Sequence, residues 1–297
     1  MFQKFLKLPI FSSARVPLYV WASLVSQILI VVTGAIVRLT GSGLGCPTWP
    51  KCTEDSLVTV PEMGIHGIIE FGNRLLTFVL AIIALLTFLT VVALGKKLRR
   101  GLFAPALILG LGIPAQAILG GFTVLFQLNP WFVGAHFVLS AYLIAIASVL
   151  VSRALPKKPE PATRAQKINA VAIAFFGSIS ILVGVLVTGA GPHSGDATSV
   201  RNGLDLELWQ HLHSYPAYLT TLLVLVQLAL LRKTASERSW QIRVNTMLFA
   251  TLSLQAIIGV LQARMGVPPV LVALHMLGAS VIVSLLVFQW RSIYVRQ

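Results

Sequence analysis

Eight long apolar stretches dominate the chain, at about 17–38, 67–94, 102–126, 131–152, 168–190, 207–231, 244–264 and 268–290. A helix crosses a bilayer with roughly 20 apolar residues, because a helix satisfies its own backbone hydrogen bonds where no water can. Eight such stretches in 297 residues leave little chain for anything else. The sequence therefore predicts an all-α polytopic membrane protein with eight transmembrane helices. Only 11% of the residues are charged, which excludes an ordinary soluble domain. Lys4, Lys7 and Arg15 precede the first stretch, as they would a signal peptide. Its apolar run is too long for one and lacks a small-residue cleavage site, so it reads as a retained span.

The net charge of +14 suggests nucleic acid until its distribution is considered. Lys4, Lys7 and Arg15 precede the first span, and Lys96, Lys97, Arg99 and Arg100 follow the second. Arg153, Lys157, Lys158, Arg164 and Lys167 follow the fourth, Arg232, Lys233, Arg238 and Arg243 the sixth, and Arg291 and Arg296 end the chain. All fall on one side of the predicted topology. The positive-inside rule makes that side cytoplasmic and places both termini there. Glu54, Asp55, Glu62, Glu70, Asp196, Asp205 and Glu207 fall on the other side or at its edge, as do all six histidines. The predicted partner is the lipid bilayer, not nucleic acid.

The chain also repeats itself. "QAILG" at 116–120 matches "QAIIG" at 255–259, and a histidine follows each glutamine by 20 residues, at His136 and His275. "VTGA" at 32–35 recurs at 187–190. Four spans per copy make a parallel repeat, with both copies facing the same way. The predicted organisation is two tandem four-helix bundles: an N-terminal unit over 1–155, a basic, proline-rich cytoplasmic linker over 156–167, and a C-terminal unit over 168–297. The VTGA offset of 155 against 139 later assigns about 15 to 16 extra residues to the first loop of the N-terminal unit.

In this register His136 opens the fourth span, His213 the sixth and His275 the eighth. Asn73 holds the place in the second span that His213 holds in the sixth, at an offset of 140. The second and fourth helices of a unit run in the same direction, so their first turns share a depth near the outer face. His213 and His275 are thereby placed to face each other across a bundle, an arrangement that holds a haem edge-on with an imidazole on each side. Ionisable groups inside a membrane are costly and mark function by default. Zinc would require close cysteine or carboxylate partners, and neither histidine has them nearby in the sequence. His211, two residues from His213, cannot share its helix face; His193 receives no role.

"HGIIEFGNR", residues 66–74, opens the second span. His66, Glu70, Asn73 and Arg74 recur at helical spacing on one stripe, which is expected to look toward His136. The bland alternative is an interfacial Glu–Arg pair worth a few tenths of a kcal/mol. Arg74 and Arg38 are candidates to pair with a propionate or to snorkel to head groups. Cys46 and Cys52 lie in "TGSGLGCPTWPKC" on the outer side, where disulfides persist. The five intervening residues allow a closed ring, for which a redox role is an option.

Taken in order, the outer cysteine loop, "IIEFGNR", and histidines opening the fourth, sixth and eighth spans resemble the haem A synthase family over essentially the whole chain. The resemblance implies an oxidoreductase that converts haem O to haem A, oxidising one porphyrin methyl to a formyl by successive hydroxylation. It implies a haem b cofactor held by His213 and His275 in the C-terminal half. It places the substrate haem O in the N-terminal half, with His136 as ligand and Glu70 as the catalytic carboxylate. It further implies a bacterial plasma-membrane setting, haem sites near the outer face, and association with the haem O-forming prenyl transferase and with cytochrome oxidase assembly. The family's second N-terminal histidine falls on Asn73 here, a departure that leaves two solutions. His66, seven residues earlier and roughly 10 Å along the axis, replaces the missing ligand. Alternatively, His136 alone holds the substrate iron while Asn73 hydrogen-bonds a water or oxygen species. The electron donor is not legible in the sequence.

Two rival readings share these residues. A di-haem b-type quinol-oxidising electron-transfer protein uses the histidine pairs but has no need of Glu70 or the cysteine loop. A haem transporter would place its polar groups near the midplane rather than at one face.

Overall fold

The computed structural model describes residues 6–155, 161–234 and 239–294. Lys4, Lys157, Lys158, Arg238 and Arg296, and the first five residues of the linker, lie outside the described residues. Eight long helices follow in order: α1 (Val16–Leu39), α2 (Gly64–Ala93), α3 (Lys96–Leu125), α4 (Pro130–Ala154), α5 (Arg164–Ala190), α6 (Leu206–Arg232), α7 (Trp240–Arg264) and α8 (Pro269–Tyr294). Short 3₁₀ turns at Pro9–Phe11, Ser13–Arg15 and Pro61–Met63 complete the regular structure, with no strand among the described residues. All eight helices are long and apolar enough to span a membrane, so the predicted fold class is observed. Helix α3 begins about six residues before its apolar stretch. Its first turn is the basic "KKLRR", which is good helix sequence but poor membrane sequence.

Local chemistry sets several helix starts. Asn129 accepts the Trp131 N–H at 3.0 Å, with Pro130 at the first helical position. Thr163 and Gln166 close a capping box on α5. Asp205 accepts the Leu208 N–H at 2.7 Å and Ser239 the Ile242 N–H at 3.1 Å, starting α6 and α7. Helix α6 continues through Pro216, whose ring removes one backbone donor.

The contacts divide the chain into two compact units. One comprises Met1–Leu155 with His193–Val200, the other Pro156–Pro192 with Arg201–Gln297. In the first, α1 neighbours α2 and α4, and α3 lies between α2 and α4, so α2 and α4 occupy one diagonal. In the second, α5 neighbours α6 and α8, and α7 lies between α6 and α8, so α6 and α8 occupy the corresponding diagonal. Lipid supplies no hydrophobic force between helices, so polar links and close packing hold such bundles. Ser23 and Thr87 share a hydroxyl–hydroxyl bond of 2.9 Å between α1 and α2. Asn169 donates to Gln227 at 2.8 Å between α5 and α6, and Gln241 donates to the Ser292 carbonyl at 2.9 Å between α7 and α8.

Candidate functional site

In the second unit, His213 on α6 and His275 on α8 meet across the bundle diagonal. Their ring centroids are 6.1 Å apart with planes at 74°. A metal held between two imidazoles at about 2 Å per bond puts the ring centres roughly 6 Å apart. The His213 Nδ1 donates to the Ser180 carbonyl at 2.9 Å. That bond fixes the tautomer and leaves Nε2 with its lone pair outward. The buried Nδ1 of His275 has no hydrogen-bond partner among the described residues. Each ring rests against a glycine of the preceding helix. A Cβ on Gly184 would lie 2.9 Å from His213 Cε1, and one on Gly259 would lie 3.5 Å from His275 Cε1. His211, two residues before His213 on α6, is exposed.

The first unit holds a related but altered arrangement. On α4, His136 packs against Gly120 of α3, where a Cβ would approach its Cε1 to 3.2 Å. Its buried Nδ1 also has no partner among the described residues. Gln116 donates to the His136 carbonyl at 3.2 Å and to Ser140 Oγ at 2.7 Å, tying α3 to α4 beside the ring. Across the diagonal, Asn73 of α2 accepts a 2.7 Å hydrogen bond from Thr33 Oγ1 of α1. A Cβ on Gly34, beside Thr33, would meet nothing within 4 Å.

These contacts correct the repeat register of the first helix. His213 bonds residue 180 and packs on residue 184, whereas Asn73 bonds residue 33. Gly34 therefore corresponds to Gly184, an offset of 184 − 34 = 150, and "GAIV" aligns with "GVLV". The VTGA pairing at 155 does not describe the contacts. Against the later offset of 140, the first loop carries about ten extra residues rather than 15 to 16.

The hydrogen bonds of the α2 stripe run to the cysteine loop and to α1. Glu70, only 5% exposed, accepts the Cys46 backbone N–H at 2.5 Å and two Arg74 donors at 2.6 and 3.1 Å. Arg74 reaches on to the carbonyls of Cys46, Thr48 and Lys51 at 2.9, 3.0 and 3.1 Å. The bland Glu–Arg pair exists, and it does more than pair: together the two side chains hold the cysteine loop. His66 is exposed, with Nδ1 on Ser42 Oγ at 2.9 Å. Arg38 lies against Gly195 of the 193–200 segment.

The loop itself is closed by the Cys46–Cys52 disulfide, with both cysteines fully buried. It presses on the start of α2, where a Cβ on Gly45 would lie 2.2 Å from the His66 carbonyl oxygen. From within the ring, Trp49 lies on Gly121 of α3, where a Cβ would come within 2.5 Å of the indole. Gly120 next to it seats His136, so the loop reaches the histidine site through adjacent residues. Thr33, Ser180, Trp49 and the glycine seats were not singled out from sequence. Gly120 and Gly259 carried a signal, as the last residues of the repeated QAILG and QAIIG.

The Arg74 contacts give a direct expectation. Arg74→Ala should free the loop and speed reduction of Cys46–Cys52 by a membrane-impermeant phosphine several-fold. Arg74→Lys should restore only part of the protection, because an ammonium cannot reproduce the guanidinium fork.

With two facing imidazoles and a third histidine in place, comparison with known proteins decides the family. Residues 17–287 match the family described as Cytochrome oxidase assembly protein (COX15-CtaA). The chain belongs to this family. Similar proteins include a heme A synthase of Geobacillus thermodenitrificans, 31% identical over 153 residues, which are 50% of this chain and 45% of that protein. A heme A synthase of Bacillus pumilus is 35% identical over 127 residues, 42% of this chain and 39% of that protein. One from Rhizobium etli is 25% identical over 323 residues, 91% and 88% respectively. In the two higher-identity matches the chain spans less than half the length of its relative. As a COX15-CtaA member with eight spanning helices, the chain is a multi-pass membrane protein.

Proposed function

We propose that this protein is a haem A synthase, an oxidoreductase that takes haem O as substrate and oxidises one of its methyl groups to a formyl by successive hydroxylation. The observation that carries the reading is the 6.1 Å His213–His275 pair within a chain of this family. The donor set fits haem b: two imidazoles on diagonal helices, one oriented by a carbonyl, both seated on glycine, and an unpartnered Nδ1 on His275 among the described residues. Haem b bound there would supply a one-electron relay. His213 and His275 would hold its iron, with the Ser180 carbonyl fixing the His213 ring.

In the N-terminal unit, His136 holds the substrate iron. Gln116 and Ser140 brace the backbone that carries it, and Trp49 closes the site from the loop. Glu70 contributes negative charge beside the macrocycle edge, where positive charge grows during methyl oxidation. Arg74 pairs with that carboxylate and fixes the loop. The domain scheme assigns 1–155 to substrate and 168–297 to cofactor. Both termini are cytoplasmic and both haem sites lie near the outer face of a bacterial plasma membrane. The disulfide shields the site or exchanges electrons with an outer donor. The haem O-forming prenyl transferase is the expected supplier, and cytochrome oxidase assembly the expected consumer.

Co-expression with a haem O source, followed by haem extraction and chromatography, tests the reading. Formyl-bearing haem is the expected product. Recovery of haem b alone would favour the di-haem electron-transfer reading.

The glycine seats give a graded expectation. Gly184→Ala sets a methyl 2.9 Å from His213 and should lower retained haem b by roughly an order of magnitude, the scale of orienting-shell losses. Gly259→Ala, at an ordinary 3.5 Å contact, should retain it. Pyridine haemochrome content of the two purified variants checks the contrast.

A further inference from the structure

The geometry points to a small-ligand site on the substrate haem: its iron is bound by His136 alone, and the opposite position stays open beside the Asn73 amide. This rests on the proposed N-terminal haem site and specifies the chemistry on its second face.

Three observations carry it. First, the repeat register is now fixed by contacts, and it places Gly34 where Gly184 stands in the other unit. Gly184 is filled from in front by the His213 ring, whereas the corresponding volume at Gly34 is empty to 4 Å. The first unit therefore keeps the seat for an imidazole and lacks the imidazole. Second, Asn73 is not a free amide in that space. The Thr33 hydroxyl, which also lies 3.1 Å from the Ile30 carbonyl, donates to its Oδ1 at 2.7 Å, so the oxygen side of the amide faces α1. An amide has two N–H donors besides its carbonyl, and Asn73 Nδ2 has no other hydrogen-bond partner among the described residues. With Oδ1 engaged by α1, Nδ2 is left as the donor of the amide. An amide offering N–H groups is a poor iron ligand and a good partner for a lone pair on a small iron-bound molecule such as water or a diatomic. Third, His66 is placed elsewhere. It is exposed, its Nδ1 is engaged by Ser42, and it stands two turns toward the loop end of α2. Reaching the sixth position from there would span seven residues of helix, roughly 10 Å along the axis, from a first turn against which Gly45 is pressed.

The two units thus divide coordination chemistry. The His213–His275 site is closed to exogenous ligands by its second imidazole. The His136 site accepts one, and Thr33 sets which atom of Asn73 faces it.

The test uses the full-length protein, purified and loaded with haem O, with carbon monoxide as the probe. The expected result is two haem populations after reduction: one low-spin and inert, the other binding carbon monoxide in equal amount. Asn73→His should keep haem O uptake, since the Gly34 seat is open, and abolish carbon monoxide binding. Thr33→Val should keep carbon monoxide binding but shift the C–O stretching frequency, because the amide is no longer held with its N–H groups forward. Haem O uptake with no carbon monoxide binding in the wild type would overturn the inference and leave the parent reading intact. So would appearance of that binding only in His66→Ala, which would name His66 as the sixth ligand. Absence of any second haem after loading would instead overturn the parent reading, and this inference with it.

Discussion

Replacing His275 with alanine is expected to remove the low-spin haem of the C-terminal unit and to lower haem O conversion by more than about 100-fold, since loss of even an orienting partner of a metal ligand costs roughly 10–100-fold. His213→Ala should do the same. On the proposed haem reading the two rings, 6.1 Å apart, act as one coordination unit, so the double variant should be no worse than either single one. His211→Ala is the control. It lies two residues from His213 on an exposed face and should retain both haem and activity. Low-temperature spectra of purified variants, normalised to protein, give the readout. Retention of a bis-imidazole spectrum in His275→Ala would remove this histidine from the site.

Glu70→Gln is the second large expectation. The glutamine amide keeps an oxygen to accept the Cys46 N–H and the size to stay beside Arg74, so the loop and its disulfide should persist. The charge is lost. If that charge supports methyl oxidation, conversion should fall by about 100-fold, or ~2.7 kcal/mol of barrier, with haem content unchanged. The structure sharpens the alternative, because Glu70 also anchors the loop. If anchoring were its whole role, Glu70→Gln would turn over normally and Arg74→Ala would be the more damaging change. Measuring conversion in both variants separates charge from scaffolding.

Much of the architecture was legible in the sequence for a physical reason: a bilayer demands long apolar helices, and nothing else reads that way. The His213–His275 pair was legible because two helices entering from one side bring their first turns to one depth, and the 139–140 offset marks those turns. The α2 stripe was legible as a helix face but not in its targets. Glu70 and Arg74 bond backbone atoms of a loop whose path depends on a disulfide, tight glycines and Trp49, none of which has a periodicity to read. The first-helix register failed because VTGA is a short run of small and β-branched residues, common in apolar helices. What fixes register is the close contact of Gly184 with an imidazole, and a glycine in an apolar helix does not announce what lies against it. Asn73 was visible as a departure, but its hydrogen bond to Thr33 and the open seat at Gly34 were not.

The central claim is that this chain chemically changes the haem bound in its N-terminal unit. The most direct test is a time course of purified protein with haem O, a reductant and an oxygen source, with haems extracted and separated at each point. Haem O should decline as a hydroxymethyl haem rises and then gives way to the formyl product. Recovery of haem O unchanged, while the protein's haem is reduced and reoxidised, would contradict the account.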